Sequence, residues 1–322
     1  MRVLNPGLYT TIQDLGRYGY QSLGIPASGA MDDYSFRIAN MLVSNEESCA
    51  ALEFTLLGPT MIFEEKTVFA LACDAEASLN DSKIEGWRSY KVDPKDVLRI
   101  GRIKRGCRGY ISFSGGIDSS LTLGSRSCCA LARIGRPLRA GDVVKLKSAG
   151  SAEKRLESRY IPQWKNRVRA VPGPQDDHFT GRGIDTFLSS EYRVTDHSDR
   201  MGYRLDGNAI EHKEGKKEMI SDGTPLGAVQ VPGDGKPIVL MKDRQTTGGY
   251  PKIATVITTD IMDIAQMKTK DSLSFEAVTL EKAYSIHAEY RRRLEDVRAS
   301  LSVKRYKMVI NGKEYHVGVE GL

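Results

Sequence analysis

The sequence contains no apolar run long enough to cross a membrane. A transmembrane helix needs about 20 consecutive apolar residues, and no window of the 322 residues approaches that length. At the amino end, Pro6 and Gly7 interrupt the chain before the apolar core of a signal peptide could form. We therefore expect a cytoplasmic protein that binds no membrane.

Cysteine is scarce, and its spacing signals no cross-link. The chain has 5 cysteines, an odd number, and no C-x-x-C pair. This pattern favours neither a disulfide framework nor a zinc site. We expect no bound metal, and we expect most of these residues to be small core side chains. They are Cys49, Cys73, Cys107, Cys128 and Cys129.

Aromatic residues make up only 7% of the chain, although its net charge is +6. Basic clusters occur at residues 99–105, 133–139 and 291–293. A nucleic-acid-binding surface would interleave basic with aromatic residues or carry a recognisable motif. Because neither is present, we expect no nucleic-acid partner. A mild positive field suits a small anionic substrate instead.

A Walker-type phosphate loop is also missing. The segment S-G-G-I-D-S at residues 114–119 matches the S-G-G-x-D-S pattern of enzymes that bind the pyrophosphate of ATP. Those loops open onto a helix whose first amides hold phosphate. Residues 120–125 are a poor helix start, and the motif follows a run of strands and does not open a β-α-β unit. We interpret it as a chance match.

Most of the chain alternates apolar and polar residues with a period of two, with Gly or Pro every eight to twelve residues. This spacing indicates a mainly β protein built from barrels or sandwiches. We expect strand-rich regions at residues 1–147 and 161–280, joined by a linker at 148–160. A helix is predicted at residues 33–43, where Asp32 can cap its amino end.

Residues 281–322 are predicted to form a C-terminal tail. A second helix is expected over residues 280–301. Beyond it, Asn311 and Gly312 predict the turn of a β-hairpin.

A polar decapeptide at residues 243–252 lies between two apolar runs that read as buried strands, 237–241 and 253–257. Two adjacent glycines allow backbone amides to approach a ligand closely. This crowding indicates a binding or catalytic site, with Gln230 as a possible amide partner, although an ordinary turn is the alternative. Its candidate residues are Asp243, Gln245, Thr246, Thr247, Gly248, Gly249 and Tyr250.

Three other polar stretches carry candidates. Asp14 and Arg17 lie among glycines, where the guanidinium could hold a carboxylate or bicarbonate, or the two could form a turn-stabilising salt bridge. Glu53 lies in a strand as either a base or a solvent-facing residue. Arg200 and Tyr203 form another charged and phenolic cluster.

Taken together, these stretches resemble the KipA family, also called the 5-oxoprolinase C subunit or the second allophanate-hydrolase-like subunit of biotin-dependent carboxyltransferases. The resemblance covers residues 1 to about 280 (by the positions of the motifs). It implies two cyclophilin-like β-barrel regions and two partner proteins, one KipI-like and one LamB/YcsF-like. The matching segments are residues 13–17, 28–32, 51–53, 115–118, 172–174, 199–205 and 245–251.

The resemblance implies a complex that opens 5-oxoproline to glutamate with ATP, which is expected at the level of the complex. As hypotheses, Arg17 or Arg200 would hold the substrate carboxylate. The hydroxyls of Thr246 and Thr247, with the amides of Gly248 and Gly249, would stabilise negative charge. A base would come from Asp14, Glu53 or Asp243, and Tyr203, Gln245 and Tyr250 would complete the substrate site.

Two other functions stay open. Relatives of this family form the carboxyltransferase part of urea carboxylase, and residues 307–319 look like the opening of a biotin carrier domain. No acceptor lysine is set in such a domain, so we expect no biotin on this chain and a hairpin that docks on the second barrel. Alternatively, the chain is a non-catalytic antagonist that binds a KipI-like kinase inhibitor.

Overall fold

The computed structural model describes residues 1–147, 149–302, 304–310 and 313–319, with side chains described as far as Ser302. Strands account for 33% and helices for 20% of the chain, so the prediction of a mainly β protein is confirmed. Ser148, the first residue of the predicted linker, lies outside the described residues, as do Asn311 and Gly312 of the predicted hairpin turn.

The described residues form nineteen strands and four α-helices. The strands are β1 (Arg2–Asn5), β2 (Tyr9–Gln13), β3 (Ala51–Thr55), β4 (Thr60–Ile62), β5 (Thr67–Leu79), β6 (Ser82–Lys83), β7 (Arg88–Val92), β8 (Val97–Phe113), β9 (Arg167–Pro172), β10 (Tyr192–Val194), β11 (Gly202–Asp206), β12 (Asp222–Gly223), β13 (Ala228–Gln230), β14 (Ile238–Leu240), β15 (Thr247–Gly248), β16 (Lys252–Val256), β17 (Ser272–Ala277), β18 (Lys304–Ile310) and β19 (Lys313–Val319). The helices are α1 (Asp33–Leu42), α2 (Gly181–Ser189), α3 (Ile261–Ala265) and α4 (Leu280–Ser302).

The first region is an eight-stranded sheet that forms a half-barrel. Its order is β1-β4-β8-β3-β2, and β5 pairs with β8, β7 and β6. Along β5, alternate side chains enter two different cores: Phe69 and Leu71 face one, whereas Val68 and Ala70 face the other, where α1 packs. Both faces of this part of the sheet are therefore covered, which explains its nearly continuous apolar sequence.

The second region is a closed barrel of seven strands in the order β10-β11-β14-β13-β16-β9-β17. Six of its pairings are antiparallel, but β17 runs parallel to β9, with Phe275 opposite Val168. Helix α2 covers the barrel through the stacked rings of Phe187 and Phe275, whose centroids are 4.4 Å apart. The two predicted barrel-like regions are thus present, one closed and one half-closed.

Helix α1 begins where the sequence predicts. The Asp32 carboxylate accepts hydrogen bonds from the Ser35 amide (3.0 Å) and the Ser35 hydroxyl (2.6 Å), which caps the first turn. Helix α4 runs along α1 and buries Leu294 and Val297 in the same core. None of the helices in the described residues is long and apolar enough to span a membrane.

Between the two regions, residues 149–160 follow the edge of the first sheet. The Ser89 amide of β7 donates to the Lys154 carbonyl (2.9 Å), and the Leu156 amide donates to the Trp87 carbonyl (2.9 Å). The Leu156 side chain is buried. At the other end of the chain, β18 and β19 form an antiparallel two-stranded sheet of their own, in agreement with the predicted hairpin.

Residues 142–146 form no regular strand in the described structure. The alternation of this segment predicts a strand, but it makes only isolated bridges, between Arg2 and Val143 and between Ile117 and Leu146. Four of the five cysteines are buried, which confirms the expectation that most of them are core side chains.

Candidate functional site

A buried ion cluster joins the first sheet to the barrel. The Arg200 guanidinium donates to both oxygens of Asp243, at 2.8 and 3.1 Å, and to Glu53 of β3. It also donates to the Gly29 carbonyl at 2.7 Å. Three residues predicted from distant parts of the sequence are therefore brought into direct contact.

Glu53 is held from both sides of its carboxylate. One oxygen pairs with Arg200, and the other accepts hydrogen bonds from the Met31 amide (2.8 Å) and the Tyr110 hydroxyl (2.8 Å). Only 2% of Glu53 is exposed, so the solvent-facing alternative is wrong. Burial alone would lower the pKa of Arg200, but the Glu53 and Asp243 carboxylates reverse this effect and raise it.

Asp14 and Arg17 belong to a second buried cluster, which the glycines of their motif make possible. Gly16 has a φ of +101°, and a Cβ there would lie 2.7 Å from the Ser28 carbonyl oxygen. This close approach lets the Arg17 amide donate to the Ala27 carbonyl (2.7 Å) and the Ala30 amide donate to the backbone carbonyl of Asp14 (2.9 Å). The two glycine-rich segments thus form one packed unit.

Within the described residues, Asp14 and Arg17 do not form the salt bridge considered from sequence. Asp14 instead accepts from the Ser125 hydroxyl (2.6 Å), the Gly16 amide (2.8 Å) and the Arg126 amide (2.6 Å), and from the Ser127 hydroxyl. Arg17 donates through Nη2 to the Ser127 carbonyl. Its Nε and Nη1 atoms have no hydrogen-bond partner there, although only 1% of the residue is exposed.

The decapeptide forms a loop across the mouth between β14 and β16. The Gln245 side-chain amide donates to Gln230 Oε1 (3.2 Å), which confirms the predicted amide partner, and Gln230 Nε2 donates to the Tyr250 carbonyl (3.3 Å). A Cβ on Gly248 would lie 2.6 Å from Gln230 Nε2, so a larger residue there would displace this amide.

The two threonines of the loop lie away from the ion cluster. Thr247 is exposed and pairs with Gly223 in the short β12–β15 ladder, and the Thr246 carbonyl accepts from the Thr224 amide (3.1 Å). Among the described residues, neither threonine makes a hydrogen bond with Glu53, Arg200 or Asp243. The structure therefore joins Glu53, Arg200 and Asp243, but leaves Thr246 and Thr247 apart from them.

Tyr203 contacts a buried arginine that the sequence patterns did not single out. Arg108 donates to the Tyr203 hydroxyl (2.6 Å), and its Nε lies 3.9 Å from Glu53. Burial raises the pKa of Tyr203, against the opposing effect of Arg108. Nothing in the sequence separates Arg108 from the other arginines of residues 99–108, but the structure shows that it is buried, together with every following residue of β8.

The motif at residues 114–119 does not lead into a helix. The Gly115 amide donates to Asn45 Oδ1 (2.8 Å), and the next helical turn in the described residues starts at Ser158. The interpretation of this segment as a chance match to a pyrophosphate loop is therefore supported by its backbone.

Comparison with known proteins places this architecture in a family. The family model "Carboxyltransferase domain, subdomain A and B" matches residues 23–277. The 5-oxoprolinase C subunit of Escherichia coli K12 is 38% identical over 305 residues, which are 92% of this chain and 97% of that protein. The chain belongs to the family of 5-oxoprolinase C subunits. The C subunit of Haemophilus influenzae 5-oxoprolinase is 36% identical over 300 residues, 91% of this chain and 96% of that protein.

The chain is also similar to segments of much longer urea amidolyases. The crystal structure of Kluyveromyces lactis urea amidolyase superposes with a TM-score of 0.87 at 29% identity, and the match covers 92% of this chain but 20% of that one. Urea amidolyase of Lachancea kluyveri is 34% identical over 311 residues, 87% of this chain and 17% of that protein. The resemblance inferred from the motifs is confirmed.

Proposed function

We propose that this chain is the C subunit of a cytoplasmic, ATP-dependent 5-oxoprolinase that converts 5-oxo-L-proline to L-glutamate. The observation that carries the proposal is the length of the match. The two bacterial C subunits align over 97% and 96% of their own lengths, whereas the Lachancea kluyveri urea amidolyase aligns over only 17%. The partners we propose are a KipI-like protein and a LamB/YcsF-like protein.

The reaction needs activation, because a five-membered lactam is a poor electrophile. ATP, a co-substrate of the complex, transfers its γ-phosphoryl group to the lactam oxygen and leaves as ADP. One water then attacks the activated carbon, and the ring C–N bond breaks with the nitrogen gaining a proton, which leaves an acyl phosphate of glutamate. A second water hydrolyses this acyl phosphate to glutamate and inorganic phosphate. The loop at residues 114–119 does not fit phosphate binding, because it begins no helix, and we propose no biotin on this chain.

Arg17 is our choice for the residue that holds the substrate carboxylate. Its Nε and Nη1 donors are buried and unpartnered in the described part of the chain, and each can donate a charge-assisted hydrogen bond to a carboxylate oxygen. Arg200, the other sequence candidate, already donates to Glu53 and to both oxygens of Asp243. Arg200 thus serves better to position the two carboxylates.

Asp243 is our choice for the base. Asp14 accepts four hydrogen bonds, and Glu53 accepts from Arg200, an amide and a phenol, so both have most of their lone pairs occupied. In the described residues, the Asp243 carboxylate accepts only from Arg200. The Thr246 and Thr247 hydroxyls and the Gly248 and Gly249 amides, later in the same loop, are our candidates for stabilising developing negative charge. The two threonines make no hydrogen bond with Asp243 in the described residues, so this role requires the loop to move towards Asp243 when substrate binds.

The decisive experiment is co-expression of the chain with its KipI-like and LamB/YcsF-like partners. Glutamate formation from 5-oxoproline is measured with and without ATP, and urea plus bicarbonate is supplied in a parallel reaction. We expect glutamate only with ATP and all three chains. Turnover of urea and bicarbonate without glutamate formation would favour the carboxyltransferase alternative. A complex that assembles but consumes no ATP with either substrate would favour the antagonist alternative.

A further inference from the structure

A pocket of about 180 Å³ lies between α1, α4 and the segment that enters α3. It is separate from the residues proposed above, because none of them lines it. Its walls carry both apolar groups and polar ends of aromatic side chains. Its lining includes Met31, Asp33, Leu226, Lys242, Met262 and Arg291.

Lys242 is the unusual member of this lining. Only 8% of it is exposed, yet its ammonium makes no hydrogen bond or ion pair with any described residue. The other strongly buried lysine of the barrel, Lys252, has an Asp222 carboxylate oxygen 2.9 Å from its nitrogen. A buried charge is normally paired, so the ammonium of Lys242 lacks the partner that its surroundings require.

The chain direction explains why Lys242 turns into the pocket. Its neighbour Met241 fills the barrel core, and Asp243 on the other side turns to Arg200. Burial lowers the pKa of Lys242, and Asp33 opposes this effect. In return, Lys242 contributes with Arg37 to lowering the pKa of Asp33 against the effect of burial. The Lys242 ammonium and the Asp33 carboxylate therefore face the same pocket and influence each other's charge.

The unpaired charge of the pocket is positive. Asp33 is already engaged, since one of its oxygens accepts from Arg37 Nε (2.8 Å) and from the Tyr290 hydroxyl (2.8 Å). Lys242 and the exposed Arg291 have no carboxylate partner among the described residues. A cation would compete with Arg37 for Asp33, whereas an anion would find a largely buried lysine whose ammonium has no ion pair in the described residues.

We propose that this pocket binds a small monocarboxylate whose charged end pairs with Lys242 and whose apolar body packs between Met31, Leu226 and Met262. The pocket is smaller than the ~300–1,000 Å³ of sites for drug-sized ligands, which favours a molecule of metabolite size. A dianion such as phosphate fits less well, because Asp33 lines the same small space. This inference does not rest on the proposed reaction.

The test compares benzoate with benzamide, which has the same shape and no charge. Binding to the full chain is measured by calorimetry at pH 7 for wild type, Lys242→Met and the control Lys282→Met, whose lysine lies exposed on α4 away from the pocket. We expect benzoate to bind wild type and Lys282→Met equally. It should bind Lys242→Met about 10- to 100-fold more weakly, as for the loss of a charged hydrogen bond, and benzamide should bind all three weakly.

A labelling experiment keeps the test valid if Lys242→Met folds poorly. Wild-type protein is treated with acetic anhydride at pH 8, and acetylation is read at each lysine by mass spectrometry. Benzoate should protect Lys242 and leave Lys282 unprotected, and benzamide should protect neither. Equal acetylation of Lys242 with and without benzoate, or equal benzoate affinity in Lys242→Met, would overturn the proposal.

5-Oxoproline is run in the same two experiments to identify the source of the carboxylate. Protection of Lys242 by 5-oxoproline would make the substrate of the proposed reaction a ligand of this pocket. If benzoate protects Lys242 and 5-oxoproline does not, the pocket binds a carboxylate other than the substrate of the proposed reaction. Failure of the three-chain activity assay would leave either result standing.

Discussion

Arg200 and Lys242 are both buried cations, but they differ in what surrounds them. Arg200 is matched by the carboxylates of Glu53 and Asp243, whereas Lys242 has no such partner in the described residues. Removing a charge that is paired leaves its partners unpaired, whereas removing an unpaired buried charge relieves a penalty. Substitutions at the two positions should therefore change stability in opposite directions.

Lys242→Met is expected to raise the free energy of unfolding by about 1–3 kcal/mol at pH 7, the cost of burying a polar group without a partner. The folded-state pKa of Lys242 is lowered from its ordinary 10.5. The unfolded chain therefore holds more protons between the two values, and wild-type stability rises with pH there. The advantage of the variant should shrink as pH approaches 10.5. Urea denaturation at several pH values checks this, with Lys282→Met expected to match wild type.

Asp263 gives the opposite pH dependence. Burial raises its pKa from 3.8 to about 7, so the folded state binds the extra proton and wild-type stability falls as pH rises from about 4 to 7. Asp263→Asn keeps an acceptor for the Lys165 amide (3.1 Å) but cannot ionise. The variant should be more stable than wild type at pH 8 and about equal to it at pH 4, as measured by thermal unfolding. Equal stability at both pH values would contradict this.

Thr247→Val separates a catalytic from a structural role for the loop. The side chain is exposed, so stability should stay within about 0.5 kcal/mol of wild type. If its hydroxyl stabilises developing charge, glutamate formation by the three-chain complex should fall about 100-fold or more, as when one such donor is lost. Unchanged turnover would remove the Thr247 hydroxyl from the proposed site.

At the level of elements, the cap of α1 also links the two regions. Gln266, which follows α3, donates to the Asp32 carboxylate (2.7 Å), while its Oε1 accepts from the amides of Cys107 and Arg108 in β8 (both 2.9 Å). One side chain thus connects the cap, the central strand of the first sheet and the barrel. Asp32 has two functions, as a helix cap and as an acceptor for Gln266.

Asp32→Ala should destabilise the protein by about 2 kcal/mol, because it removes an N-cap worth ~1 kcal/mol and the hydrogen bond from Gln266 Nε2, worth ~0.5–1.5 kcal/mol. The Gln266 amide keeps its other acceptor, the Arg108 carbonyl (3.2 Å). Asp32→Asn keeps an oxygen for the Ser35 amide and should lose less. Guanidinium denaturation of the two variants measures the difference. Losses of the same size would show that the carboxylate charge, and not the cap, is responsible.

Helices α1 and α4 could be predicted from sequence, but α2 and α3 could not. Helix α1 has a capping Asp32 and apolar residues at helical spacing, and α4 is long. By contrast, α2 opens with Gly181 and Gly183, and α3 has only five residues. Their stability comes from packing on the barrel, which outweighs local propensity.

The candidate site was predictable in its residues but not in its connections. The motifs identified Glu53, Arg200 and Asp243, yet strand alternation could not decide whether Glu53 faces solvent, because both faces of β3 are covered. Arg108 and Lys242 were missed because their significance comes from burial. A basic residue has the same appearance in sequence whether it is solvated or enclosed.

For the whole molecule, the ion cluster around Arg200 is a buried polar link between half-barrel and barrel. Arg200→Met should destabilise the protein by about 3–5 kcal/mol, since Glu53 and Asp243 would remain buried without their cation. Arg204→Met, with an exposed side chain on the neighbouring strand, should leave stability unchanged. Urea unfolding of both variants checks this. A loss below about 1 kcal/mol for Arg200→Met would contradict the assignment of the cluster as a link.

The parallel pair of β9 and β17 also governs when the barrel can form during synthesis. Strand β9 is the first strand of the barrel to be translated, yet its two neighbours, β16 and β17, begin at residues 252 and 272. At roughly 5–20 residues per second, β9 waits several seconds with both edges open. An emerging chain with unpaired strand edges is prone to pair with the wrong partner. Correct folding in the cell therefore requires that the edges of β9 stay unpaired until β16 and β17 have been synthesised.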